Sequence, residues 1–245
     1  MSGIRVALVC AMLSLLPATA GAQPAPAQAE WINDLRLGGY VIVLRHGATV
    51  SDKAGTDSMS RPNASAQRQL NEQGREQAKS IGESLRKLKI PVGLVLTGTI
   101  QRAVDTGRLL GFGDVTATPD LAESGHGDSP DETNRRAQAF RKLVGVRPPA
   151  DNNVVIVTHK PNIVDAFGKD WLNVSEGEAS VFEPDGNGGY RSIARVQASE
   201  WNRLATCAAH SAAPAKVVGC VDESCGASQS LLSVQPGIAG NRRMV

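Results

Sequence analysis

The sequence predicts an α/β fold, a mostly parallel sheet with helices on both faces. Three observations predict it. Tyr40–Leu44 (YVIVL) and Val154–Thr158 (VVIVT) are continuous apolar runs, as strands buried on both faces require, and Val92–Leu96 (VGLVL) is a further apolar strand. Segments with helically spaced apolar residues separate them. Glycines and prolines punctuate the junctions. Strands alternating with helices imply right-handed crossovers and parallel pairing.

Residues 1–22 come first and stand apart. Arg5 precedes an apolar stretch from Val6 to Leu16, Pro17 breaks it, and Ala20-Gly21-Ala22 offers a small-residue cleavage site. That order of features is a secretory signal peptide. Cys10 lies inside the apolar stretch behind Val9, so a lipoprotein attachment site is not formed. Residues 23–38 read as a Pro/Ala-rich leader and then a short amphipathic helix, Ala29–Leu37, closed by Gly38-Gly39. The compact domain is expected over 39–205.

Within it, Tyr40–Leu44 is the first strand, followed by a polar loop to about Gln67. Asn71 caps a helix whose face is Ala78, Ile81, Leu85 and Leu88, ending before Pro91. Val92–Leu96 is a strand and Arg102–Leu110 a helix stopped by Gly111. Val115–Thr118 is a short strand, and Asp131–Val146 a helix ended by Pro148-Pro149. Val154–Thr158 is the next strand, with Pro161 opening a helix after it. Ala179–Phe182 and Tyr190–Val196 flank Pro-Asp-Gly-Asn-Gly-Gly, which predicts a hairpin at the sheet edge. Beyond Trp201 there are no aromatics, and 206–245 reads as a low-order tail rich in Ala, Ser and Gly.

Composition excludes some functions. With 26 basic and 24 acidic residues, the chain lacks the charge of a broad nucleic-acid binder. At 4% aromatic it has little to stack bases on. No apolar run is long enough for a stable membrane span. Outside the leader the cysteines are Cys207, Cys220 and Cys225, which allow one disulfide in an oxidising compartment. Cys-x4-Cys without a second ligand pair is a weak zinc signal, and no metal is expected.

Ligands of open α/β sheets gather at the carboxyl ends of the strands. There the sequence places Arg45-His46-Gly47 after the first strand, His159 after VVIVT, and Thr97-Gly98-Thr99 ahead of Arg102 at a helix start. Two imidazoles and two guanidiniums on one edge make an anion site.

The triplet Arg45-His46-Gly47, the T-x-x-x-x-R-A-x-x-T run from Thr97 and the V-x-V-T-H ending at His159 resemble the histidine phosphatase superfamily. The resemblance is to its bacterial branch of small phosphatases and runs from about Gly39 to Trp201. Leu70-Asn71-Glu72-Gln73-Gly74 looks like the start of the family's first helix. It implies the phosphoglycerate-mutase-like fold, a three-layer sandwich.

Phosphoryl transfer needs an in-line nucleophile and positive donors around the equatorial oxygens. A neutral imidazole attacks when its other nitrogen donates to a fixed acceptor, and His46 suits that role. Gly47 lets the backbone approach the phosphate. Arg45, Arg102 and His159 supply donors, and Thr49 and Arg68 are placed as substrate-binding groups. The proton for the leaving oxygen is assigned to Glu123, with Asp128 or no dedicated acid as alternatives. The family's aromatic and glycine pattern after that glutamate is absent, Asp52 stands where mutase-like members carry an asparagine, and Lys160 replaces the commoner glycine. Arg61 is either a substrate contact or a solvated residue, whereas His126 and His210 read as solvated.

The expected function is an exported, metal-independent phosphatase acting through a phosphohistidine on His46, without a cofactor. Its partner is a phosphorylated small molecule or a phosphorylated surface component, and not a nucleic acid. Mutase-like phosphoryl transfer and a non-catalytic phosphate-binding module are the alternatives.

Overall fold

The computed structural model describes residues 30–50, 68–124 and 128–211. The leader, most of the first loop, His126 and the last 34 residues, with Asp52, Arg61, Cys220 and Cys225, lie outside the described residues.

The elements follow the alternation of the sequence. They are α1 (Glu30–Leu37), β1 (Val41–Arg45), α2 (Glu72–Lys87), β2 (Val92–Thr97), α3 (Gln101–Leu109) and β3 (Val115–Ala117). Next come α4 (Pro130–Gly145), β4 (Asn153–Thr158), α5 (Lys160–Phe167), β5 (Ala179–Pro184), β6 (Tyr190–Val196) and α6 (Ala198–Ser211). The strands form one sheet in the order β3-β2-β4-β1-β5-β6. β1 to β4 pair in parallel, and β5 runs antiparallel to β1 and pairs with β6 as an edge hairpin.

Side chains alternate across the pleat, so β1 feeds two cores. Ile42 and Leu44 pack with Ile81 and Leu85 of α2, Ala103 of α3 and Ile32 and Leu35 of α1. Val41 and Val43 pack with Phe140 and Val144 of α4 and Ile163 and Ala166 of α5. Helices therefore cover both faces, and the fold is the three-layer sandwich expected. The crossovers through α2 and α3 step outward across the sheet, and α4 returns on the opposite face, as a single crossover hand requires. Strand order reverses where β4 slots between β2 and β1, which opens a crevice at their carboxyl ends.

Local signals behave as read. The Asn71 side chain accepts the Gly74 N–H at 2.8 Å and caps α2. Gly111 takes a left-handed φ of 73° beyond α3.

One element departs from the sequence expectation. A loosely attached tail was expected from residue 206, but α6 continues through that point to Ser211. Trp201 is fully buried, with its ring edge-on to Trp31 at 5.9 Å between centroids, and Ala205 is buried behind it. Asn202 Oδ1 accepts the hydroxyls of Ser80 and Ser84 on α2, both at 2.7 Å. Residues 206–211 thus extend a helix docked on α2, and Ala208 packs against the same core.

Candidate active site

β1 and β4 are neighbours in register, Arg45 opposite Thr158, so the residues after them emerge side by side. His46 and His159 occupy those positions, with ring centroids 5.3 Å apart. β2 ends on the other side of β4, with Thr97 opposite Val157, and α3 starts four residues later. Its Arg102 lies fully buried against the two rings. The sheet order, not proximity in sequence, assembles the cluster.

His46 is fixed on three sides. Its backbone N–H donates to Thr158 O at 3.0 Å. The ring Nδ1 lies 2.9 Å from Gly47 O, and Arg102 Nε lies 3.2 Å from the ring Nε2. A guanidinium only donates, so Nε2 accepts and carries a lone pair, while Nδ1 bears the proton and donates to Gly47 O. Burial, followed by the positive field of Arg102, lowers the His46 pKa well below the usual imidazole value, which keeps the ring neutral. His159 is lowered likewise by burial and then by His46 and Arg102. Neither nitrogen of His159 has a hydrogen-bond partner among the described residues, and both are buried. Two unmet polar atoms in so tight a place suit an incoming oxygen.

Glu123 completes the cluster. Its Oε2 accepts from Arg102 Nη2 at 2.5 Å, and its Oε1 lies 3.8 Å from His159 Nδ1. Asp128, the alternative acid, is instead ion-paired to Arg136 at 2.9 Å. Arg136 also bonds Glu132 and the Glu123 carbonyl, so it braces the loop that carries Glu123.

The rim is arranged differently from the expectation. Arg45 Nη1 donates to Val174 O at 2.8 Å, and Nη2 reaches Glu176 at 3.4 Å. The Thr49 hydroxyl donates to the same carboxylate oxygen at 2.8 Å. Thr49 and part of Arg45 are therefore engaged by Glu176, a residue the sequence reading did not select. Nothing local marks it, because the segment Ser175-Glu176-Gly177-Glu178 is recognised only by its position over the β1 exit. There Gly177 N–H donates to the carbonyls of Arg45 and His46, and Glu178 binds Arg195. Burial lowers the Arg45 pKa, partly offset by Glu176. Half-buried Arg68 adds its positive field to Arg45, His46 and His159.

Gly47 has a second reason for being glycine. A Cβ there would stand 2.5 Å from Gly74 O, because the N-terminus of α2 crosses against the loop. Its N–H donates to Thr106 Oγ1 at 3.1 Å.

The sequence over 41–129 matches the model of the histidine phosphatase superfamily, branch 1. Over that stretch the chain is similar to the histidine phosphatase superfamily. The matched stretch carries Arg45, His46, Arg102 and Glu123, while His159, just after β4, lies outside it. No curated protein matches the chain. Among solved structures it is similar to the protein histidine phosphatase SixA complexed with tungstate, at 18% identity and a TM-score of 0.48, covering 66% of this chain and 98% of that one. It is also similar to a mycobacterial glucosyl-3-phosphoglycerate phosphatase complexed with VO3, at 22% identity and 0.46, covering 63% and 97%. A third is the phosphoserine phosphatase of Entamoeba histolytica in complex with 3-phosphoglyceric acid, at 15% identity and 0.45, covering 58% and 89%. The arrangement of Arg102 between His46 and Glu123 places a donor fork between a lone pair and a carboxyl group.

Proposed function

We propose that the chain hydrolyses a phosphate monoester or phosphoamino acid through a phosphohistidine on His46. The observation that carries this reading is the His46 ring, buried and neutral, with Nδ1 bonded to Gly47 O and Nε2 holding a lone pair.

In the first half-reaction Nε2 attacks phosphorus, a P–N bond forms, and the bond to the leaving oxygen breaks. Glu123 gives that oxygen its proton. In the second, water attacks phosphorus, Glu123 takes the water proton, and the P–N bond breaks to release inorganic phosphate. Arg45, Arg102 and His159 surround the equatorial oxygens with N–H donors, and the charge of the two guanidiniums serves where other phosphatases use a metal. The Gly47 carbonyl stabilises the ring while Nε2 carries the phosphoryl group. The phosphate displaces Arg102 Nε from Nε2, so the same donor shields the lone pair before binding and holds the phosphate after it.

The reading includes export. Arg5, the apolar stretch Val6–Leu16 and Ala20-Gly21-Ala22 support it, and so does the disulfide at Cys207. No helix among the described residues is long and apolar enough to cross a membrane. The test is turnover of a chromogenic phosphate ester by the mature protein, with quenching to trap acid-labile, base-stable phosphate on the enzyme. Steady turnover with trapped phosphate is expected. A phosphate-binding module would give neither, and that outcome would overturn the proposal. An N-terminus at Gln23 on secreted protein would check the export step.

A further inference from the structure

Resting on the reading of Glu123 as proton donor, we propose that Asn162 is a positioning residue, whose carboxamide holds the donor's backbone in register with His159. Glu123 follows the turn Pro119–Leu121 and belongs to no strand, so no ladder fixes its peptide groups. Asn162 supplies what a ladder would. Its Nδ2 donates to Ala122 O at 2.6 Å, and its Oδ1 accepts the Ser124 N–H at 3.3 Å. The two bonds bracket Glu123 on either side. Asn162 itself is buried, three residues beyond His159 and one turn into α5.

The consequence is geometric. His159 directly follows β4 and is the N-cap residue of α5, where its carbonyl accepts the Ile163 N–H, so Asn162 and His159 move as one rigid unit. Tying Ala122 and Ser124 to that unit fixes the start of the Glu123 side chain relative to the His159 ring. Arg102 then sets the other end of Glu123 at Oε2. Arg136 reaches the Glu123 carbonyl from α4 at 3.3 Å. Proton transfer demands placement at hydrogen-bond distance, and an error of about 1 Å costs on the order of a hundredfold in rate. Buried peptide groups left without Asn162 would move to find other partners, and Glu123 would move with them.

The test measures kcat/KM for 4-nitrophenyl phosphate, whose leaving oxygen needs no proton, and for a simple alkyl phosphate, whose leaving oxygen does. The ratio of the two does not depend on how much of a variant is folded. Glu123→Gln is expected to raise the aryl-over-alkyl ratio by roughly a hundredfold, the lower range of general-acid contributions. Asn162→Ala should raise it at least about tenfold with Glu123 intact. Asn162→Asp retains only the bond to the Ser124 N–H and should shift the ratio the same way; it carries the comparison if the alanine variant fails to fold. A raised ratio in Glu123→Gln with a wild-type ratio in the Asn162 variants overturns this inference alone. An unchanged ratio in Glu123→Gln overturns the donor assignment, and the role of Asn162 with it.

Discussion

Arg102 donates its Nε–H to His46 Nε2 across 3.2 Å, and this one bond decides which nitrogen of His46 carries the lone pair. The guanidinium cannot accept, so the lone pair must lie on Nε2 and the proton on Nδ1, where Gly47 O receives it. Arg102 also reaches Glu123 through Nη2. A single buried side chain thus spans the proposed nucleophile and the proposed proton donor through a planar fork that a lysine does not have.

His46→Ala is expected to abolish turnover and the trapped phosphate while leaving the thermal midpoint within a few degrees. Arg102→Lys keeps the charge but loses the Nε–H and the fork, and kcat should fall by about a hundredfold or more. Quench-flow trapping and steady-state kinetics check both. A His46→Ala variant that still turns over substrate would remove the covalent mechanism.

Chelators should leave the activity unchanged, because the two guanidiniums supply the charge around the phosphate and His159 adds a neutral N–H donor. Among the described residues no group of three or more His, Cys, Asp or Glu could hold a metal ion. Vanadate should inhibit competitively by taking the same donors in a trigonal geometry. Activity lost in EDTA and restored by a divalent cation would show that a metal takes part.

The strands, the helix caps and the residues at the strand exits were legible in the sequence because each has a local signal. An apolar run marks a strand, Asn71 marks a helix start, and Arg45-His46-Gly47 marks a loop at a strand exit. Asn162, Arg136 and Glu176 were not legible, because each acts by reaching a backbone or side chain brought near only by the fold. Asn162 in particular lies 40 positions from the carbonyl that it binds. The helix α6 was missed for another reason. Its apolar face, Trp201, Leu204, Ala205 and Ala208, has helical spacing, but half of it is alanine, a weak apolar signal. Glu200 Oε2 accepting the Gln197 N–H at 2.7 Å is a start signal that was present in the sequence and not used.

Stability should fall as pH drops below about 6.5, the imidazole value in an unfolded chain. His46 and His159 have folded pKa values below it, chiefly through burial. Above that pH both states hold neutral rings and nothing changes. Below it the unfolded chain takes up protons that the folded chain refuses, so each buried histidine removes about 1.4 kcal/mol of stability per pH unit, until its folded pKa is reached. Urea unfolding at pH 7.5, 6.0 and 5.0 reads this slope directly. Replacing His159 with Gln should remove roughly half of it. A midpoint that stays flat between pH 7.5 and 5.0 would mean that the rings are not held neutral.

Trp201→Ala tests whether α6 is part of the core. The ring is fully buried against α1, edge-on to Trp31, and removing it leaves a large cavity beneath the helix. Such a truncation costs about 3–5 kcal/mol, which for a domain of this size lowers the thermal midpoint by roughly 10 °C. Leu37→Ala, at a side chain that is 73% exposed, is the control and should shift it little. The active cluster lies at the carboxyl ends of β1, β2 and β4 and shares no side chain with this contact. Turnover per folded molecule should therefore stay near the wild-type value well below the melting transition. A midpoint unchanged in Trp201→Ala would mean that α6 is only loosely held on α2 and the sheet, and that the compact domain ends at β6.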